Sequence, residues 1–308
     1  MNELIQVGAR TYYVTGPFHV GVYIMSEDYS HPDFPDRKPV CLIDSGVDEV
    51  VARVIDGLLE ENGFYVHMII NTHYHADHSG GNAYFKNRYK CILTCTKINA
   101  ALMSNYDICP AIVWGASPVR EIINKYFYAT PADAIDIALV NLPEGISITE
   151  IPGHCISMIA VRTGDDVLFL GDAVIEKNTL ELHPLSYIYE IGTYLESLDY
   201  LKTLEAGLFI PYHAEPVKNL RGLIRANRES VKDNIDTILD ICSTPKDIDT
   251  VISEFFTNKN LKLSLYKYAV EGGVVKTYIS YLHNMGLLDA VCENNYIKWV
   301  VSGENADE

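Results

Sequence analysis

The stretch THYHADHSGGN, residues 72–82, brings His73, His75, Asp77 and His78 into six consecutive positions of a 308-residue chain that has ten histidines. Each imidazole carries two ring nitrogens that need partners and buries little apolar area, so a loop gains little from collecting three of them. A metal ion gives them a common partner. Further along, His154 in PGHC, Asp172 in LGDA and His213 in PYHAEP each follow an apolar run. Seven side chains of ligand type suit two divalent ions. Imidazole and carboxylate donors make zinc the expected metal, with iron and manganese also accepted by such a set.

The elements that must position these residues are short strands and the turns that end them. VCLIDSG (40–46) and VHMIINTH (66–73) read as buried strands. EVVARVIDGLLEENG between them reads as a helix with Val50, Val51, Val54, Leu58 and Leu59 inward and Gly63 as its stop. The histidine cluster therefore lies just past the C-terminal end of a strand, where α/β proteins place ligands. Residues 106–136 contain three prolines and weak periodicity, which predicts short helices in an insertion or lid. Strands resume at 146–155 and 158–173, the second folded into a hairpin through Thr163-Gly164-Asp165-Asp166, and GLFIPYH is one more, ending at His213.

Beyond Pro216 the pattern becomes helical. Leu220, Ile224, Val231, Ile235, Ile238 and Cys242 form one stripe, a capped helix follows in STPKDIDTVISEFF, and a longer one covers 261–286. A hairpin around Glu293-Asn294-Asn295 closes an outline of helix, helix, hairpin, that of a small winged-helix unit. The chain is therefore expected to have two domains, 1–216 and 217–308.

Charge limits the partners. Residues 1–216 hold 28 acids against 13 bases, and residues 217–308 hold 13 against 11, within a total of −17. Such a field repels polyanions, which argues against nucleic acid. No apolar run is long enough to span a bilayer, and MNELIQVGARTYYV lacks the basic and apolar regions of a leader. Seven cysteines without zinc-ribbon spacing predict reduced, mostly buried thiols and a cytoplasmic protein. His31, His67, His183 and His283 are read as packed or surface residues.

HYHADH resembles the H-x-H-x-D-H signature of the metallo-β-lactamase superfamily, and PGHC, LGDA and PYHAEP are similar to its later ligand motifs in the same order. The resemblance covers residues 1–216. It implies an α/β fold, a four-layer αβ/βα sandwich with the site at one edge between two sheets, here with a mostly helical, winged-helix-like C-terminal region. Carried over, His73, His75 and His154 would bind one metal, Asp77, His78 and His213 a second, and Asp172 would bridge them. A shared water, acting as a bridging hydroxide, would be the nucleophile. Asp77 would also steer a proton to the leaving group, and Asp44 in LIDSG would support catalysis by accepting hydrogen bonds from the ligand loop. Phe18 and His19 fall in the first hairpin, which in this fold overhangs the metals, and would touch substrate. Trp114, in the insertion, is read as a lid over an apolar pocket, with packing inside its own insertion as the competing reading.

Departures narrow the expectation. True β-lactamases lack the bridging aspartate, flavodiiron reductases have a glutamate where His75 stands, and ribonuclease Z has a further histidine motif not found here. The first reading is a binuclear hydrolase of a small ester, thioester, lactone or related molecule. The second is an oxygenase like the persulfide dioxygenases, with one iron on His73, His154 and Asp172. A third, a nuclease or DNA reader, needs a basic face that residues 217–308 do not show. That region is expected to serve packing or a homodimer contact.

Overall fold

The computed structural model describes residues 2–26, 28–29 and 31–303. Seven strands lie side by side in chain order: β1 (Leu4–Gln6), β2 (Thr11–Val14), β3 (Val20–Ile24), β4 (Lys38–Ile43), β5 (Phe64–Ile70), β6 (Ile92–Cys95) and β7 (Ile135–Asp136). A second sheet holds β8 (Ser147–Glu150), β9 (Ile159–Arg162), β10 (Val167–Phe169) and β11 (Leu208–Ile210), with β11 parallel to β10. The crossovers supply helices: α1 (Glu49–Glu61), α2 (Ala76–Ser79), α3 (Asn82–Tyr89), α4 (Lys97–Met103), α5 (Ile108–Trp114), α6 (Lys177–Leu182) and α7 (Ile191–Leu201). After them come α8 (Arg221–Ile241), α9 (Ile248–Asn258) and α10 (Leu265–Asn284). A third sheet of order β12-β14-β13 is made by β12 (Lys246–Asp247), β13 (Leu288–Glu293) and β14 (Tyr296–Val301).

Strand alternation decides the layering, because successive side chains leave a strand on opposite faces. In β4, Val40 and Leu42 pack with Ala52, Ile55 and Leu59 of α1 and Phe85 of α3. Cys41 and Ile43 turn the other way and meet Ile159, Val161, Val167 and Phe169 of the second sheet. From that sheet Ala160, Leu168 and Phe209 point onward to Leu198 and Leu201 of α7 and Ile224 and Val231 of α8. Helices, sheet, sheet, helices: the α/β sandwich has four layers, and its strands read as continuous apolar runs because both faces are covered. The last core layer continues into Phe255 of α9 and Val275 and Tyr278 of α10, so residues beyond 216 share a core with the second sheet.

Two expectations about elements need correction. The inward face of α1 is Ala52, Ile55, Asp56 and Leu59, whereas Val50 and Val54 are 71% and 45% exposed. The apolar count misled because the buried face includes an aspartate, whose carboxylate accepts from the hydroxyls of Tyr84 (2.6 Å) and Tyr89 (2.5 Å) and pairs with Arg88 (2.7 Å). The two-residue strand β12 was also missed, since a strand so short carries no periodicity. The final hairpin turns through Asn294 and Asn295, both at positive φ (53° and 65°), the conformation that two-residue hairpin loops require.

Candidate metal centre

The centre begins where β4 and β5 end. Asp44 follows β4 at φ 64°, a left-handed conformation that aspartate tolerates better than most residues. Its buried carboxylate accepts from the Thr72 backbone N–H (2.8 Å) and the Thr72 hydroxyl (2.9 Å) and lies 2.8 Å from His78 Nδ1. Asn71 donates to the His78 carbonyl (3.0 Å) and accepts from Asn82 (2.9 Å), which in turn accepts from Ser45 (2.8 Å). Gly80 and Gly81 let this loop close against the end of β4. A Cβ at Gly80 would lie 2.0 Å from the Val47 carbonyl oxygen, and one at Gly81 would lie 2.3 Å from that of Ser45.

On this frame the seven expected donors form two groups, His73, His75, His154 and Asp172 in one, Asp77, His78, Asp172 and His213 in the other. Donor atoms within each group all lie within 4.8 Å of one another. His75 Nδ1 is 2.9 Å from His73 Nε2 and 3.0 Å from His154 Nε2. Ligands about 2.0–2.1 Å from a tetrahedral metal are about 3.3–3.4 Å apart, so the rings need to separate by only a few tenths of an ångström to admit an ion. Asp172 belongs to both groups by different oxygens. Its Oδ2 is 3.5 Å from His154 Nε2, and its Oδ1 is 3.1 Å from His78 Nε2 and 3.6 Å from His213 Nε2. Asp77 Oδ2 lies 3.2 Å from His213 Nε2 and 3.8 Å from His78 Nε2.

Electrostatics prepare the first group as neutral ligands. Burial, then neighbouring imidazoles, push His73 well below the usual histidine range and His75 down to about 3; burial also lowers His154. In the second group burial opposes charge on His78 and His213, but Asp172 and its neighbouring carboxylates outweigh it and raise both. Asp172 is itself held well below the carboxylate range: burial would raise it, and His213, His78 and His154 together prevail. Two buried atoms in the middle, His78 Nε2 and Asp172 Oδ1, make no aligned hydrogen bond. Orphaned buried polar atoms are costly, and a cation between the groups would satisfy both, so the donor set fits a metal.

Not every expected residue reaches the cluster. Phe18 stacks on Tyr212 with ring centroids 5.3 Å apart, and His19 is buried with Nδ1 3.0 Å from the Pro211 carbonyl oxygen, so both back the segment that carries His213. Trp114 is half-buried and faces a groove against α10 and residues 187–189. Three contributors were missed. Thr72 holds Asp44 and lies 3.1 Å from His73 Nδ1, fixing that ring. Tyr212 stacks on His78 at 3.7 Å and donates its hydroxyl to the Asp77 carbonyl (2.6 Å). Tyr187 sets its ring edge-on to His75 (5.1 Å) and His154 (5.7 Å). Position next to a ligand in NTH and PYH was the available signal for the first two; Tyr187 had none.

The sequence model of the metallo-beta-lactamase superfamily matches residues 36–213, more than half of the chain. The chain belongs to the metallo-beta-lactamase superfamily. Within it, the chain is 26% identical over 234 residues to a hydroxyacylglutathione hydrolase of Prochlorococcus marinus (strain MIT 9312), covering 74% of this chain and 81% of the relative. The same name belongs to a second relative, from strain MIT 9301, with 26% identity over 235 residues, 76% of each chain. The fold is that of a beta-lactamase domain protein from Burkholderia ambifaria, with a TM-score of 0.70 at 16% identity over 97% of this chain and 93% of that one. A metallo-beta-lactamase family protein from Thermus thermophilus superposes with a TM-score of 0.65 at 15% identity, over 98% of each chain. This superfamily member is a metal-dependent hydrolase. No helix among its described residues is long and apolar enough to cross a membrane.

Proposed function

We infer that the protein is a binuclear hydrolase of a small ester, thioester, lactone or related substrate, with His73, His75, His154, Asp77, His78, His213 and a bridging Asp172 as the ligands. The observation that carries this reading is the sharing of Asp172, which turns one oxygen to each donor group. Two divalent ions, with zinc favoured by the donor types, would lower the pKa of a water and polarise a carbonyl oxygen. The protein's part is to place groups around that chemistry. Asp172 fixes the spacing of the two donor groups. Asp44 orients His78, and Thr72 orients His73. Asp77 and His213 have side chains 21% and 32% exposed, so a substrate can reach both. Asp77 is placed to hold a proton for the departing oxygen or sulfur. The two hydroxyacylglutathione hydrolase relatives support a thioester among the substrates.

Residues 1–216 are assigned the catalysis and residues 217–308 a winged-helix-like packing role or a homodimer contact, the latter region having no charge suited to nucleic acid. Seven free thiols, six of them buried, favour a reducing compartment such as the cytoplasm. The test is metal analysis of protein purified without added metal and again with metal in excess, beside ester and thioester assays. Two ions per chain are expected, and Asp172→Ala should lose at least one ion and most of the activity while remaining folded. Single occupancy in excess metal, with iron-dependent oxygen uptake on glutathione persulfide, would replace this reading with the oxygenase.

A further inference from the structure

A groove of ≈ 270 Å³ runs between α5, residues 187–189 and α10, walled by Val113, Trp114, Tyr187, Ile188 and Val274 with Gly273 between them, and lined also by Lys276. Helix α10 carries Gly272-Gly273 near its middle, where each glycine costs about 1 kcal/mol relative to alanine. Close packing accounts for Gly272, whose Cβ would meet Ile252 at 3.1 Å. It does not account for Gly273, which is half-buried and would find nothing within 4 Å. What Gly273 leaves open is the groove.

The groove lies on the far side of Tyr187 from the metal centre. Two small hollows of ≈ 10 Å³ each touch the ligands: one is lined by His75, Val113 and Tyr187, the other by His154, Asp172 and Tyr187. Tyr187 lines both hollows and the groove, with its ring against His75 and His154. Asp77 and His213, with side chains 21% and 32% exposed, offer a polar approach. A substrate bound across the centre would have a polar end on that approach and an apolar end beside Tyr187.

We propose that this groove receives the acyl chain of a medium-chain ester or thioester, with Tyr187 as the wall that turns aside to admit it; this rests on the hydrolase reading. The extent of the groove sets an upper limit to the acyl length it can take. Burying methylenes there should make longer acyl groups better substrates up to that length.

The test uses the metal-loaded full chain and thioesters from acetyl to dodecanoyl. The kcat/KM value should rise at least tenfold from acetyl to octanoyl and fall again by dodecanoyl. Gly273→Leu, which fills the groove, should cut the octanoyl-to-acetyl ratio at least tenfold with a melting temperature no lower than wild type, whereas Gly222→Leu, on the exposed surface of α8, should leave the ratio unchanged. A flat chain-length profile, or a ratio that Gly273→Leu does not move, overturns the proposal. Decanoate titrated into the Trp299→Phe variant, in which Trp114 is the remaining indole, gives a readout independent of turnover. A saturable fluorescence change abolished by Gly273→Leu supports the groove, and its absence counts against it. If decanoate binds in this way while no thioester is hydrolysed, the groove stands and the hydrolase reading falls.

Discussion

One buried carboxylate, Asp44, holds the ligand loop to the end of β4. It accepts both the Thr72 N–H and the Thr72 hydroxyl and faces His78 Nδ1, so its loss strands two buried donors and frees a ligand ring to rotate. Residues in such supporting positions typically change metal affinity 10–100-fold. Asp44→Ala should therefore bind metal about 10–100-fold more weakly in a chelator competition, and wild-type affinity in a folded variant would remove Asp44 from the centre. At this scale the sequence was most legible, because histidines and aspartates at strand ends stand out against apolar runs. Thr72, Tyr187 and Tyr212 were not legible, since a threonine, or a tyrosine stacked on an imidazole, looks like ordinary core. Phe18 and His19, expected beside the substrate, contact the Tyr212 ring and the Pro211 carbonyl of the segment that carries His213.

At the scale of elements, α1 shows how a cap couples to acid stability. Asp48 is its N-cap, accepting the Val51 N–H at 3.0 Å, and it also binds Lys125 of the insertion at 3.2 Å. Burial would raise its carboxyl, but these bonds outweigh it and hold it below the usual aspartate range. A carboxyl depressed on folding stabilises the native state above its unfolded pKa, and that stabilisation is lost as pH falls through the lower native value. Replacing such a cap with alanine costs about 1 kcal/mol. In urea titrations at neutral pH, Asp48→Ala should be destabilised by that amount, and its gap to wild type should close below about pH 4. A gap that is constant down to about pH 2 would assign the loss to packing instead. The buried strands and the long C-terminal helices were legible from periodicity alone. The facing of α1 was not, because Asp56 is inward and its tyrosine partners come from α3, beyond any local window.

The C-terminal helices share one of the molecule's buried clusters with the second sheet. Leu168 and Phe209 of the second sheet, Leu198 of α7, Val231 of α8 and Tyr278 of α10 belong to one buried cluster. A chain cut after Pro216 should therefore expose an apolar face and aggregate, and the intact protein should melt in a single transition. A soluble, cooperatively folded 1–216 fragment would refute this. The sequence pointed to a packing role for this region but not to the elements it packs on, since the change from strands to helices at 216 reads as a boundary whether or not the two sides share a core. The same molecule carries its charge unevenly, with 28 acids against 13 bases in residues 1–216. An ester is neutral at its reacting end and becomes a carboxylate once cleaved. The reactant therefore enters this field unopposed while the product is expelled by it, a one-way valve that salt would weaken, so that product inhibition would deepen as ionic strength rises.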